Sequence, residues 1–287
     1  MMPAGASAQS AEPDHALFGR AAASASRQRG RAHADAGAAR WTVLDPPYVL
    51  PTALPDADRL DDPAPRGRVL LCLARTDDTT TSLRAATATV HHINPRSPRA
   101  LVAGNALVLP TVWGAMRDVG FRVALLSAQP TADMVRSALA SGSSFGGDVL
   151  RWLIAANVAK DSRFIEHFRT MVTAYDGHGD PAVARVDAQS RVTRTMRRHF
   201  KNAGLAPPGR WCRLYWLLWV ALLIQGQPDK PAAAIAEANG FSDDAHLRRV
   251  LREWFASSPE EIRACLGWEW LLWAAIEKKN LVVRTRH

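Results

Sequence analysis

The sequence is poor in cysteine and lacks any long apolar run, and both shortages exclude whole classes of protein. Its 287 residues include only three cysteines, Cys72, Cys212 and Cys265. They are too scattered for a disulfide framework or a zinc-ligand pair, which favours a reducing compartment. The longest apolar run covers 11 residues, 214–224, far short of the ~20 that a transmembrane helix needs. The N-terminus has no apolar signal-peptide segment, so we expect a cytoplasmic protein without membrane contact.

Motifs that mark common enzymes are also missing. The sequence contains no Walker loop, no G-x-G-x-x-G fingerprint and no nucleophile–base–acid spacing. Asp176, His178 and Asp180 alternate in a Gly-rich turn, which we interpret as a solvated loop between domains rather than as a metal site. We therefore predict that the protein is not an enzyme and has no catalytic residues, no metal and no cofactor. The alternative is that the α/β domain predicted for residues 67–175 is an enzyme.

Acidic residues are scarce in one part of the chain. Lys and Arg total 36 against 27 Asp and Glu, a net charge of +9. Residues 182–287 hold 17 basic and 10 acidic residues, a net charge of +7. Residues 190–210 contain six basic residues and no acidic one. Such a stripe is typical of a phosphate-binding surface, and a solvated helix face is the alternative.

The composition changes twice along the chain and predicts three segments. Residues 1–40 are rich in Ala, Ser, Gly and Arg, and residues 46–66 carry six prolines. Residues 1–66 are therefore predicted to form a disordered arm and a Pro-rich linker. Residues 67–175 are predicted to form an α/β sensory or dimerisation domain, and residues 176–287 a helical domain, because the Gly-rich turn breaks the pattern between them.

Short apolar runs alternate with helical patterns in the middle segment. Candidate strands lie at 69–74, 100–109 and 121–126. Candidate helices lie at 110–119, 130–140, 148–159 and 162–175. Strands that alternate with helices favour a small parallel sheet.

This middle segment distantly resembles a response-regulator receiver. Asp77 and Asp78 follow the first candidate strand, as an acidic pair does in that family. Residues 100–109, the candidate for the strand that carries the phosphorylated Asp in receivers, contain no Asp, however, and no Lys occurs between Arg68 and Lys160. A receiver-like fold would therefore be degenerate, and we predict no Asp phosphorylation. An α/β interaction domain unrelated to receivers is the alternative.

The helical segment contains a short helix, a glycine turn and a second helix with one apolar and one basic face. Residues 232–239 are strong helix formers, and Gly240 suits the left-handed turn that ends such a helix. Ser242 or Asp243 can cap the next helix. The apolar stripe of that helix consists of Leu247, Val250, Leu251, Trp254 and Phe255. This is the helix-turn-helix design, whose second helix fits the DNA major groove.

The same region resembles the second helix-turn-helix of AraC/XylS-type transcriptional regulators. The matching positions are Ile235, Ala236, Gly240, Phe241, Ser242, Asp243, His246, Leu247, Arg249, Arg252, Trp254, Phe255, Ser258, Pro259, Glu261 and Arg263. Family members carry two such units joined by a linker helix. Residues 190–202 are similar to the first recognition helix, with Val192, Met196 and Phe200 as its core stripe, and residues 211–225 are similar to the linker helix. The resemblance covers about residues 180–263.

The resemblance implies a double helix-turn-helix DNA-binding domain at 176–287 of a bacterial-type transcription factor. Its expected partner is double-stranded DNA, with RNA polymerase and a second copy of the chain as further candidates. The base-reading candidates are Arg194, Arg197, Asp244, His246, Arg248 and Arg249. The phosphate-binding candidates are Arg191, Arg198, Lys201 and Arg252. A protein-interaction module that uses the same fold, without a specific DNA target, is the alternative.

The chain departs from the family pattern at three places. The helix before Ser190 lacks a glycine turn, the linker helix is unusually apolar, and residues 264–287 extend beyond the usual end. That extension carries Trp268, Trp270 and Trp273. We expect these rings to pack inside the molecule, and a dimer contact is the alternative.

Overall fold

Four strands of the described residues form one sheet. The computed structural model describes residues 40–48, 66–74, 77–103, 123–125, 131–141, 145–175 and 181–282, which all belong to one compact unit. The strands are β1 (Arg40–Leu44), β2 (Val69–Ala74), β3 (Arg99–Ala103) and β4 (Val123–Leu125), in that order across the sheet. β2, β3 and β4 are parallel, and β1 is antiparallel to β2. The predicted small parallel sheet is confirmed, with one added antiparallel strand.

β1 corrects the interpretation of residues 1–66 as a disordered arm and linker. The strand pairs along its whole length with β2, from Arg40 opposite Leu73 to Leu44 opposite Val69. The composition around β1 could not show this, because its backbone groups bond to a strand that follows much later in the chain. Residues 1–39 and 49–65 lie outside the described part of the chain.

The strand order differs from that of a response-regulator receiver. In a sheet of order 2-1-3-4-5, the first strand lies between two parallel strands that follow it in sequence. Here β2 lies between β3 and the antiparallel β1, which precedes it. The described strands therefore favour the alternative, an α/β arrangement unrelated to receivers.

Helices make up most of the remaining described residues. They are α1 (Thr80–Ile93), α2 (Ala132–Ala140), α3 (Phe145–Ala155), α4 (Ser162–Val172), α5 (Pro181–Ser190), α6 (Arg194–Asn202), α7 (Pro208–Gly226), α8 (Ala232–Ala238), α9 (Asp244–Phe255), α10 (Pro259–Ala264) and α11 (Glu269–Lys278). The predicted helices at 130–140, 148–159 and 162–175 are confirmed with shifted ends, whereas 110–119 lies outside the described residues. No described helix has the length and apolarity that crossing a bilayer requires.

Among the described residues, two hydrophobic clusters join the sheet with α2 and connect α3 with the helices that follow it. The smaller one is formed by the sheet and α2. The larger one extends from Phe145 in α3 to Leu281 after α11, so it includes residues on both sides of the predicted boundary at 175/176. The three-segment division of the chain stays a prediction, but the residues before and after this boundary share one apolar core.

The loop after α10 joins the two clusters. Leu266 is fully buried in the cluster of the sheet. Its backbone N–H donates to Tyr48 Oη at 2.5 Å, and the Tyr48 hydroxyl donates to the Gly67 carbonyl at 2.8 Å. Gln225, near the end of α7, donates to the carbonyls of the residues before and after Leu266 at 2.8 and 3.0 Å. Buried hydrogen bonds therefore tie the sheet to the helical part.

The tryptophans of the C-terminal extension lie inside the molecule, as predicted. Trp268, Trp270 and Trp273 are buried. The ring of Trp268 meets Phe145 edge-on at 6.2 Å between centroids, and Trp273 meets Trp152 at 6.3 Å. Edge-on pairs at such distances are favourable aromatic packing. The extension therefore completes the core against α3.

Candidate nucleic-acid interface

The first helix-turn-helix unit consists of α5 and α6. Three residues, Arg191 to Thr193, separate the two helices. The Thr193 side chain caps α6 by accepting from the Met196 N–H at 3.1 Å, which starts the helix at Arg194 rather than at the predicted residue 190. The turn forms without the glycine of the family pattern, because no residue between α5 and α6 has a positive φ.

The basic residues of α6 form one exposed face. Arg194, Arg197, Arg198 and Lys201 follow the spacing i, i+3, i+4 and i+7, and all four are exposed. Met196 and Phe200, on the other side of the helix, are buried as predicted. No carboxylate of the described residues pairs with these four cations. The face therefore presents uncompensated positive charge to solvent.

Arg191 has a different position from the other predicted phosphate-binding residues. It lies in the turn before α6, and its guanidinium makes two hydrogen bonds to the Asp187 carboxylate, at 2.5 and 3.1 Å. The same guanidinium reaches the Thr170 carbonyl and Thr173 Oγ1 at 3.4 Å. These contacts tie the end of α5 to α4, so we interpret Arg191 as a positioning residue.

The second unit consists of α8 and α9, joined by the predicted glycine turn. Gly240 has a φ of 76°, the left-handed conformation that ends α8. Phe241 is buried and stacks on Trp216 of α7, with ring centroids 4.7 Å apart. Asp243 caps α9 by accepting from the His246 N–H at 2.6 Å, and this hydrogen bond lowers the pKa of the Asp243 carboxyl.

The exposed face of α9 differs from the predicted one. The predicted core stripe, from Leu247 to Phe255, is buried. Opposite to it, Ala245, Arg249 and Arg252 are exposed at the spacing i, i+4 and i+7. Ala245 was missed because an alanine carries no charge or hydrogen-bonding group, although its helical spacing from Arg249 could have identified it.

Arg248 is occupied by two carboxylates. Its Nε donates to Asp244 at 2.6 Å, and its two terminal nitrogens donate to Glu260 at 2.7 and 2.8 Å. These hydrogen bonds raise the pKa of the Arg248 guanidinium and lower the pKa of Glu260 to about 2. The pair connects α9 with α10. The structure therefore separates Arg248 and Asp244 from Arg249 and Arg252, the exposed cations of the same helix.

His246 also contacts its neighbours. Its ring is half-buried, lies edge-on to Phe241 at 5.5 Å, and places Nδ1 3.2 Å from Ser242 Oγ. These contacts hold the turn against α9. The contacts give His246 a local structural role, and its base-reading role stays a prediction.

A histidine pair connects α6 to α4. His167 Nε2 and His199 Nδ1 are hydrogen-bonded at 2.9 Å, and the rings are stacked. Burial lowers the pKa of His167, and the nearby His199 and Arg163 lower it further, against the opposite effects of Asp161 and Glu166. The pair therefore favours the neutral imidazole of His167 in the folded chain.

The lowered pKa of His167 predicts acid sensitivity. Below about pH 6.5 His167 binds a proton in the unfolded chain but not yet in the folded one. The contribution of His167 to the free energy of unfolding is therefore complete above this pH and is lost as the pH falls to the lowered pKa of native His167. We expect the thermal midpoint of the full chain to drop between about pH 7.5 and about pH 5.5, and His167→Gln to flatten that drop. The matched control His246→Gln should leave it unchanged, and an identical drop in both variants would contradict the assignment.

Comparison with known proteins agrees with this geometry. Residues 190–264 match a family model described as a helix-turn-helix domain, of the AraC type. The match begins next to α6 and ends with α10, so it includes both basic faces and the α7 linker. No curated protein and no solved structure is significantly similar to the chain. The C-terminal region of this chain, over residues 190–264, is thus an AraC-type helix-turn-helix DNA-binding domain.

Proposed function

We propose that the chain is a sequence-specific DNA-binding transcriptional regulator that acts by binding, without a catalytic step. α6 and α9 would enter two successive segments of the major groove, about 34–36 Å apart along the DNA. Positive charge would supply affinity that depends on salt, and the few side chains that reach base edges would supply specificity.

The observation that carries this proposal is the pair of exposed basic faces. Each of the two recognition helices buries its apolar stripe in one shared core and turns arginines to solvent. A solvated helix face would also be charged, but its charges are commonly offset by carboxylates at i±4, as Arg248 is by Asp244. The cations of α6 have no such partner among the described residues.

The geometry refines the roles within this proposal. We assign base reading to Arg194, Arg197 and Arg249, whose guanidinium groups suit the O6 and N7 atoms of guanine. Arg198, Lys201 and Arg252 are assigned to phosphates, so they position the helices without reading sequence. Arg248, Asp244, His246 and Arg191 are assigned to positioning, because their side chains are engaged within the protein.

DNA selection by the full chain tests this function. A random pool of duplexes is bound at about 150 mM salt, where non-specific binding is weak, and the retained DNA is sequenced. An enriched motif supports the regulator. Salt-sensitive binding without a motif would reduce the proposal to a basic surface, and a folded chain that binds no DNA would contradict it.

Two adjacent arginines provide a matched pair of variants for the same selection. Arg249→Ala should relax the preference at one base position and cost about 1–3 kcal/mol of discrimination there. Arg248→Ala should leave the motif unchanged and lower the thermal midpoint, because Glu260 loses the partner that lowers its pKa. The reverse result, a relaxed motif in Arg248→Ala alone, would show that our orientation of α9 in the groove is wrong.

One observation favours the second candidate, a protein-interaction module. Val183 and Val186 of α5 are 52% and 68% exposed, so the first unit also presents apolar surface. RNA polymerase and a second copy of the chain stay proposed partners for such a surface. Val183→Ser with Val186→Ser should leave DNA selection unchanged if this surface serves a protein partner, and reduced DNA affinity would contradict that role.

A further inference from the structure

The chain continues past the matched domain into a segment that contacts the second recognition helix and the residues that follow the first one. The described part of this C-terminal extension after the match is residues 265–282. It contains the loop with Leu266, helix α11 and the last described residues. The proposed DNA contacts come from the recognition helices, and the extension supplies none of them.

The end of the extension holds the C-terminus of α9. Lys278 Nζ donates to the Arg252 carbonyl at 2.8 Å, where the partial negative charge of the helix end favours a cation. Lys279 Nζ pairs with Glu253 Oε1 at 2.7 Å and lies 5.4 Å from the centre of the Trp254 ring. The Lys279 side chain is only 16% exposed, and its hydrogen bond lowers the pKa of Glu253. Three successive residues of the second recognition helix thus contact the extension.

The same few residues hold the segment that follows α6. Val282 forms a β-bridge with Leu205, and the Ala206 N–H donates to the Leu281 carbonyl at 2.8 Å. The Leu205 N–H in turn donates to the Phe200 carbonyl of α6 at 2.9 Å. Leu281 is fully buried in the larger cluster. The first recognition helix is therefore connected to the extension by backbone hydrogen bonds.

We propose that the C-terminal extension fixes the distance between α6 and α9 and so determines the spacing between the two halves of the DNA site. The inference rests on the proposed function. α7 connects the two units covalently, and residues 278–282 add a second connection between them. Because successive base pairs are about 3.4 Å apart, a displacement of that size between the helices changes the preferred spacing by one base pair.

A variant of Glu253 can distinguish a role in fixing the distance between α6 and α9 from a simple effect of charge on DNA affinity. Glu253→Gln removes the ion pair with Lys279 while it raises the net positive charge, so an effect through simple electrostatics would strengthen DNA binding. Lys279→Met removes the same pair from the other side and keeps the aliphatic stem. Lys230→Met, on an exposed loop, is the control for loss of one positive charge.

The experiment is selection by the full chain from duplexes in which the two half-sites are separated by variable spacers. The wild type and Lys230→Met should enrich one spacing. Glu253→Gln and Lys279→Met should keep the bases of each half-site but accept spacings one base pair shorter and longer, with the preference for the best spacing reduced by up to about fivefold. A fivefold reduction corresponds to the largest free energy that a single ion pair with one exposed partner usually contributes.

The remaining outcomes distinguish the two proposals. A wild type that enriches no motif contradicts the proposed function itself. If the wild type selects one spacing and both variants select it as narrowly, the function stands and the inference is overturned. Loss of the half-site bases in Glu253→Gln also overturns it, because the contact would then hold α9 rather than the spacing. Glu253 is 53% exposed, so this variant is expected to fold.

Discussion

Residues 176–287, produced without the rest of the chain, are expected to show no cooperative thermal unfolding transition. The sequence predicts a boundary at this point, but the larger hydrophobic cluster includes residues on both sides of it. The ring of Phe168 meets Trp211 edge-on at 4.9 Å, and the Tyr175 hydroxyl donates to the Cys212 carbonyl at 2.9 Å. In the fragment the Trp211 ring and the Cys212 carbonyl would lose these contacts, because Phe168 and Tyr175 are removed.

The expected loss of stability follows from the number of buried aromatic side chains that the fragment lacks. Loss of one buried aromatic side chain costs about 3–5 kcal/mol, whereas a domain is stable by about 5–15 kcal/mol in total. The fragment lacks Phe145, Phe168 and Tyr175, which are all fully buried, and also Tyr48, which bonds to the Leu266 N–H. The summed loss is comparable to the whole stability of an ordinary domain.

The measurement compares three chains by near-UV circular dichroism and thermal unfolding. The full chain and residues 36–287, which retain the whole compact unit, should unfold cooperatively at similar temperatures. The fragment 176–287 should have weak near-UV signal and no sharp transition. If the fragment instead unfolded as sharply and at the same temperature as the full chain, the predicted domain boundary would be correct and the contacts across it would be dispensable.

Removal of the α6 charges is expected to have the largest effect on DNA binding. The variant Arg194→Ala, Arg197→Ala, Arg198→Ala and Lys201→Ala should fold normally, since all four side chains are exposed. It should lose detectable binding at about 150 mM salt. Its thermal midpoint, measured alongside, shows whether the fold is intact.

Two double variants divide this effect into its parts. Arg198→Ala with Lys201→Ala should weaken all DNA sequences alike and reduce the salt slope of log K by about 1.8, since each phosphate contact on duplex DNA contributes about 0.9. Arg194→Ala with Arg197→Ala should relax specificity. Arg191→Ala is the control, because this residue pairs with Asp187 and should change stability more than DNA affinity. Equal loss of affinity in the control and in the phosphate pair would contradict the assigned α6 face.

Local signals in the sequence determined much of the candidate interface. Gly240 and Asp243 act on backbone groups within a few residues, so the turn and the start of α9 follow from the residues themselves. The apolar stripes of α6 and α9 are likewise set by helical spacing, which also places Arg197 and Arg249 on the exposed faces.

Contacts between residues far apart in sequence were decided only by the tertiary structure. β1 depends on pairing with β2, and the engagement of Arg248 depends on Glu260, a residue of another helix. The Leu205–Val282 bridge and the Tyr48–Leu266 hydrogen bond connect even more distant residues. The local pattern of charge and hydropathy specifies which residues leave water, but not which partner they meet, because that choice depends on how all the buried faces fit together.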